Sequence, residues 1–300
     1  MERKMYTYTA YGLKFASEFP VPEFGPEIEG KPDITIKYGK VPHKLSSPSA
    51  HGIAWQAGNQ KLLHSVAGIA RYLIVEDKEI VIEPEPETTE KEVRLFILGS
   101  VLGALLHGRK MLVLHASVIK TKNGGVLFMG KSGAGKSTVL GSLLKRGYSM
   151  LSDDKAGIVL TGSGVAQVLP AFPTMRLTKK TVEELGYPVN GAEISPGLGK
   201  YVIPVRQFCQ EPLPVHAAYA ITAHNKSTMH FQELDDFGVF QNLNRNTYRR
   251  KFVHSNSLRR AHFDNLTALS GQARVVEISR PDDTSMIGEM VDRIEEDMNG

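Results

Sequence analysis

The 300-residue sequence holds one cysteine, Cys209, and one tryptophan, Trp55. A lone cysteine excludes an internal disulfide and any metal cluster built on cysteine, and it suits a reducing compartment. Long apolar runs are missing as well. The longest nearly unbroken one, Leu95–Leu106, is about twelve residues, too short to span a bilayer. The opening MERKMYTYTAYG carries charge but no apolar stretch, so no signal peptide is expected. Internal repeats and low-complexity tracts are absent. These exclusions lead to the expectation of a cytoplasmic protein with no membrane partner. Acidic residues are missing from Phe237 to Phe263, where Arg245, Arg249, Arg250, Lys251, Arg259 and Arg260 lie with Tyr248 and Phe252. No nucleic-acid motif accompanies this stretch, so nucleic acid is not expected as a partner. It reads either as a solvated face or as a source of arginines for a phosphate or an acidic peptide.

What is present is ordinary for a globular chain: 41% apolar and 23% charged residues, with 36 Lys+Arg against 32 Asp+Glu. The mild excess of positive charge fits anionic ligands. Residues 1–82 read mainly as β, with short runs at Tyr6–Thr9, Asp33–Tyr38, Gly52–Gln56, Ala70–Val75 and Glu79–Ile82 separated by turn residues. Glu83-Pro-Glu-Pro-Glu87 breaks regular structure and suggests a boundary, giving a β-rich module over 1–86 and a larger domain over 87–300. Thr89-Glu-Lys-Glu92 has the pattern of a capping box and opens an apolar helix that ends near His107-Gly108.

The informative stretch runs from Leu112 to Asp154. Gly130 to Ser137 reads GKSGAGKS, a full match to the phosphate-cradling pattern G-x-x-x-x-G-K-[ST]. A β-prone run, Val126–Met129, leads into it. A helical pattern through Val139, Leu140, Leu143 and Leu144 leads out and stops at Arg146-Gly147. The residues Gly130, Lys131, Ser132, Gly133, Ala134, Gly135, Lys136, Ser137 and Thr138 are the expected nucleotide cradle. Its glycines allow inward-facing N–H groups, its helix offers a positive dipole end, Lys136 reaches the β- and γ-phosphates, and the Ser137 hydroxyl ligates Mg²⁺. ATP and Mg²⁺ are the expected cofactors.

The flanks add two features. Met111–Ile119 and the turn Thr121–Gly125 form a hairpin with the run that enters the loop, over residues 111–129. If residue 119 faces 126, His115 falls opposite Gly130 at the mouth of the loop. Downstream, the short strand Tyr148–Leu151 ends in Ser152-Asp153-Asp154. A carboxylate at a strand end beside such a loop usually serves Mg²⁺, and two adjacent ones allow one to hold metal and the other to accept a hydroxyl proton.

The rest of the chain reads as strands at Gly157–Thr161, Val165–Leu169 and Met175–Leu177, then a helix capped by Thr178 and stopped by Gly186. Residues 187–214 read as a loop over the site, with Lys200 and Arg206 available to phosphate or to an acidic substrate. Ala217–Ala223 is expected to pair with Thr228–Glu233. Arg274–Ile278 follows as a last strand, and residues 285–298 as an amphipathic helix.

The block LHAS, GKSGAGKS, RGYSMLSDD resembles the catalytic core of the HPr kinase/phosphorylase family, P-loop kinases related to phosphoenolpyruvate carboxykinases. The opening Ala10–Phe24 resembles HPr-kinase-related proteins, a group that includes kinases of lasso-peptide precursors. The resemblance implies an α/β P-loop kinase core of that type with a smaller β-rich N-terminal module. It implies an ATP- and Mg²⁺-dependent phosphotransferase acting on a serine hydroxyl of a peptide or small protein. Asp153 would be the general base, His115 its support and Asp154 a metal-side residue. Two positions depart from the pattern: HPr kinases usually carry an acidic residue where Lys131 stands and a glutamate where Thr138 stands. Their later glycine-rich stretch is echoed only by Glu193–Gly199. HPr itself, a small molecule, or a switch role without transfer remain the alternatives, and a homo-oligomer is left open.

Overall fold

The computed structural model describes residues 4–188, 199–283 and 286–299. They form a mixed α/β protein of two compact units, residues 1–111 with 249–262, and residues 112–248 with 263–300. The boundary suggested at 86/87 and this division differ by the helical segment after the proline-rich stretch, which belongs to the first unit. The stretch 249–262 joins that unit from far along the chain.

The first unit is built on an eight-stranded sheet: β1 (Tyr6–Ala10), β2 (Leu13–Ser17), β3 (Ile34–Tyr38), β4 (Ala50–Gly52), β5 (Trp55–Gly58), β6 (Lys61–Val66), β7 (Ala70–Val75) and β8 (Glu79–Pro84). Their spatial order is β1-β2-β3-β8-β7-β6-β5-β4. In β3 the alternation of Ile34 and Ile36 puts both side chains in the core, fully buried. Two strands carry no alternating signal and escape a reading by period. β2 buries Phe15, Ala16 and Ser17 in succession, and β6 buries His64 beside Leu62 and Leu63. Trp55 packs edge-on against Phe252 and near His254 inside this unit.

The capping box forms as expected, with Thr89 and Glu92 exchanging side-chain and backbone bonds at the start of α1 (Glu90–Phe96). The helix is not continuous. A π-helical turn, Ile97–Val101, separates α1 from α2 (Leu102–Gly108), and the break falls at Gly99, whose ψ of −105° is far from helical.

The second unit is organised by a long strand. Its elements are β9 (Leu112–Leu114), β10 (Ala116–Thr121), β11 (Gly124–Met129), α3 (Lys136–Lys145), β12 (Ser149–Ser152), β13 (Ala156–Leu160), β14 (Ala166–Leu169), β15 (Thr174–Thr178), α4 (Lys179–Leu185), β16 (Lys200–Pro204), β17 (Leu213–His224), β18 (His230–Glu233), α5 (Asp236–Arg245), α6 (Asn256–Ser270, which begins in the first unit), β19 (Arg274–Pro281) and α7 (Ile287–Asn299). Strand β17 pairs in parallel with β11 on one side and β19 on the other, while its first residues pair with β14. The sheet therefore runs β12-β10-β11-β17-β19-β18, with β14-β13-β9 branching from the start of β17.

Alternate residues of the central strands feed two cores. Val126, Phe128, Tyr219, Ile221, Val276 and Ile278 pack with α3 and α7, and Leu127, Met129, Ala218, Ala220 and Val275 pack with Leu243, Leu266 and Leu269. A strand buried on both faces reads as an unbroken apolar run, which is how β11 appears in the sequence. Helix α7 buries Ile287, Met290, Val291, Ile294 and Met298. Its outer face is not purely solvated, because Asp292 and Glu295 pair with Arg146.

Two sequence expectations are corrected here. Strand β18 pairs with β19, not with β17, because both edges of β17 are already taken by parallel partners. Within 187–214, residues 200–204 are no loop: β16 forms a five-residue ladder with β15. Residues 193–198 of the expected glycine-rich echo lie outside the described residues. No helix among the described residues is long and apolar enough to cross a membrane.

Candidate functional site

The hairpin of β10 and β11 has the register read from the sequence, Ile119 facing Val126 and Ala116 facing Met129. Its ladder ends there, so His115 sits at the break between β9 and β10, one position beyond the last pair and level with Gly130. Its backbone N–H turns away to Asn246 O at 2.7 Å. At the end of β11 the chain enters the loop through Gly130, with φ of 142°. A Cβ there would stand 2.3 Å from Ile221 O in β17, so only glycine allows the loop to leave the sheet so close to its neighbour. Lys131, Ser132 and Gly133 form an exposed crown, and Gly135 is the N-cap of α3.

Lys136, 6% exposed, folds its ammonium back over the loop and donates to Gly130 O at 2.8 Å and Lys131 O at 3.0 Å. Burial, foremost, pushes it below its ordinary pKa, against the pull of Asp153 and Asp154; the charge of Lys200 pushes the same way as burial. Its neighbour Ser137 donates to Asp153 Oδ1 at 3.2 Å. The Thr138 hydroxyl is turned toward α4 and lies 3.3 Å from Thr181 Oγ1.

The two aspartates stand in different environments. Asp153 is 5% exposed and accepts from Ser117 Oγ at 2.7 Å, from Ser137 Oγ, and from the Arg176 backbone N–H at 2.8 Å. Asp154 has a left-handed backbone, φ of 70°, and a carboxylate more open to solvent than that of Asp153. Lys155 Nζ bonds it at 2.7 Å and Arg176 Nη1 lies 4.0 Å away. Burial pushes the Asp154 carboxyl up, but Lys155, Arg176 and His115 outweigh that and hold it well below the usual carboxylate range.

His115 Nδ1 lies 2.9 Å from Asp154 O and 3.4 Å from Asp154 Oδ1. A carbonyl only accepts, so Nδ1 carries the proton and Nε2 is left as an acceptor. Burial, then the charge of Lys136, lowers the histidine pKa and keeps the ring neutral at pH 7. The Tyr248 ring packs beside it at 5.9 Å between centroids.

The structure thus gathers His115, Lys136, Ser137, Asp153 and Asp154 around one loop. The hydrogen bonds put Asp153 beside Ser137 and Asp154 beside His115, the reverse of the pairing expected from the resemblance. Four further residues of the cluster were not singled out from the sequence: Ser117, Lys155, Arg176 and Arg280. Ser117 lies two residues after His115, within β10, and bonds the other aspartate, Asp153. Arg176 alternates with buried Met175 and Leu177 and so faces the other way, toward the aspartates. Lys155, 1% exposed, follows the acidic pair directly and lies 5.0 Å from the Tyr248 ring centroid. Arg280 shares the inward face of β19 with Val276 and Ile278. The six basic residues from Arg245 to Arg260 are all exposed.

The donor set fits Mg²⁺ and a polyphosphate. A serine hydroxyl and a carboxylate are hard oxygen ligands 3.2 Å apart, and among the described residues the ammonium beside them is held by loop carbonyls that an anion can replace.

The family model of the SynChlorMet cassette protein ScmC matches residues 81–230, half of the chain, a span that includes the loop and both aspartates. No curated protein matches the sequence. Among solved structures, the Hpr(Ser) kinase/phosphatase from Coxiella burnetii is similar at 15% identity and a TM-score of 0.30, over 63% of this chain and 99% of that one. A likeness that remote says nothing about the site.

Proposed function

The chain belongs to the family of the SynChlorMet cassette protein ScmC, and we propose that it is an ATP- and Mg²⁺-dependent kinase that phosphorylates a serine hydroxyl of a peptide or small protein. The observation that carries this reading is the bond from Ser137 to Asp153 at the start of the helix that follows the glycine loop. That pair is a ready-made metal-side ligand set next to a lysine whose bonded partners among the described residues are loop carbonyls. A loop that served only as a turn would need neither group.

Ser137 and Asp153 would hold Mg²⁺, which would neutralise charge on the transferring phosphates. The loop N–H groups and the α3 dipole hold the phosphates, and Lys136 gives up its carbonyl partners to bond their oxygens. Ser137 and Asp153 stand on the metal side. Asp153 suits that role because its Oδ1 already meets the Ser137 hydroxyl, the other hard oxygen at the start of α3. Asp154 is the more accessible carboxylate and orients the attacking hydroxyl, with His115 beside it. The hydroxyl oxygen forms a bond to the γ-phosphorus as the bond to the β,γ-bridging oxygen breaks. The hydroxyl proton passes to Asp154, and ADP leaves with the bridging oxygen. A carboxylate held below its ordinary pKa is a weak base, which is adequate where the transition state is loose and positioning supplies most of the rate. Lys155 and Arg176 keep that carboxylate ionised.

The test is transfer from ATP labelled at the γ-phosphate, in Mg²⁺, to a serine-bearing precursor peptide and to HPr protein in parallel, with Lys136→Ala as the blank. Label on the peptide supports the reading as stated. Label on HPr alone makes this a kinase of that protein despite Lys131 and Thr138. ATP binding with no label on either acceptor moves the reading to a small-molecule kinase or a nucleotide-dependent switch.

A further inference from the structure

Arg280 ends the inward face of β19 and is 2% exposed, the largest of the fully buried side chains. Its Nε donates to Ala134 O inside the glycine loop at 3.1 Å, and Nη1 donates to Pro281 O at 2.6 Å. Those two bonds use two of its five N–H donors. The Nη2 end is turned to Gly135, where a Cβ would lie 3.7 Å from Nη2 and 3.8 Å from Nε. Among the described residues no carboxylate stands within ion-pair distance. Asp282 and Asp283, both exposed, act on it through space.

A guanidinium without a carboxylate partner is costly to bury, and carbonyl oxygens return only part of its lost hydration. Such a group is retained where an anion completes it. Here the cation is packed against the last turn of the loop, at the N-terminus of the ten-residue helix α3, where the dipole has the same sign. Burial weakens screening, so its field reaches the loop with little loss.

We propose that Arg280 is a positioning residue that supplies a buried counter-charge to the polyphosphate bound on the glycine loop, and that it makes the loop select ligands by their phosphate charge. It acts through the loop, from behind Gly135, without touching the ligand. The proposal rests on the reading of that loop as a nucleotide site. A purely mechanical role, tying Ala134 to β19, would instead weaken every ligand alike.

Calorimetric titration of the full chain with inorganic pyrophosphate and with orthophosphate separates these. Arg280→Gln is expected to weaken pyrophosphate binding tenfold or more and orthophosphate threefold or less, about what one buried charge can do. Arg280→Lys, which keeps the charge, is expected to stay within threefold of the parent for both. Asp282→Asn, which removes a distant counter-charge from an exposed position, is expected to tighten pyrophosphate about twofold. Equal loss for both ligands in Arg280→Gln, or a lysine variant as weak as the glutamine one, overturns the proposal. Should the glutamine variant fail to fold, the other two decide: pyrophosphate binding unchanged or weakened in Asp282→Asn overturns it. A parent protein that binds neither pyrophosphate nor ATP would overturn the nucleotide reading itself, and this inference with it. Parent binding with variants that all match it overturns only the role of Arg280.

Discussion

The hydroxyl of Ser137 donates to Oδ1 of Asp153 at 3.2 Å, and the same oxygen accepts from Ser117 at 2.7 Å. One carboxylate oxygen thus joins the start of α3, the end of β12 and the strand β10. The neighbouring carboxylate of Asp154 takes no part and turns to Lys155, Arg176 and His115. This separation makes the two aspartates distinguishable by experiment.

Asp153→Asn is expected to raise the Mg²⁺ concentration needed for half-maximal activity about tenfold or more, since under the proposed assignment it removes charge from the metal side. Asp154→Asn is expected to lower kcat by about 10²- to 10⁴-fold while leaving that Mg²⁺ requirement near the parent value. Steady-state rates across a Mg²⁺ series decide it. The opposite pattern would restore Asp153 as the base.

Ser117→Ala removes a buried donor from Asp153 and leaves one lone pair of a buried carboxylate unsatisfied. A loss of about 1–3 kcal/mol in unfolding free energy is expected. Urea denaturation with a clean folded baseline measures it, and a change below about 0.5 kcal/mol would show that water replaces the hydroxyl.

Gly130→Ala places a methyl group 2.3 Å from Ile221 O at a φ of 142°. Both the contact and the backbone conformation oppose it, and a loss of at least about 2 kcal/mol is expected together with lost pyrophosphate binding. Thermal melts and titration of the purified variant test the two effects separately.

Acid should destabilise the first unit. Burial foremost, then His107 and Arg250, push the His262 imidazole down to about 4, against about 6.5 in an unfolded chain. Between those values the unfolded chain binds more protons. Stability is therefore full above about pH 6.5 and is lost as pH falls toward 4, by about 3 kcal/mol in all. His64 and His254, also lowered by burial, act in the same direction. Urea midpoints at pH 7.5 and pH 5 should differ, and His262→Gln should flatten part of the slope. A variant with an unchanged slope would assign the effect to the other histidines.

Much of the site is legible in the chain because its signals are local. The strand, glycine loop and helix are contiguous, the hairpin register follows from one turn, and the caps at Thr89, Thr178 and Gly186 are short-range patterns that form as read. The amphipathic face of α7 follows from helical period alone. Strand β2 escapes the same reading because it buries consecutive residues, and β6 because its buried face carries a histidine.

The sequence by itself determined where the loop lies, which helix it opens and which histidine and aspartates stand nearest along the chain. Only the tertiary structure decided which neighbours each aspartate meets. That choice depends on Ser117, Arg176 and Lys155 arriving from separate elements, and on a left-handed turn at Asp154 that aims adjacent side chains apart. It also decided that Arg280, some 145 residues beyond the loop, lies beneath it, and that β18 pairs with β19. Contacts between distant segments are set by which sheet edges and apolar faces remain to be covered once the chain has collapsed, and no local period encodes that.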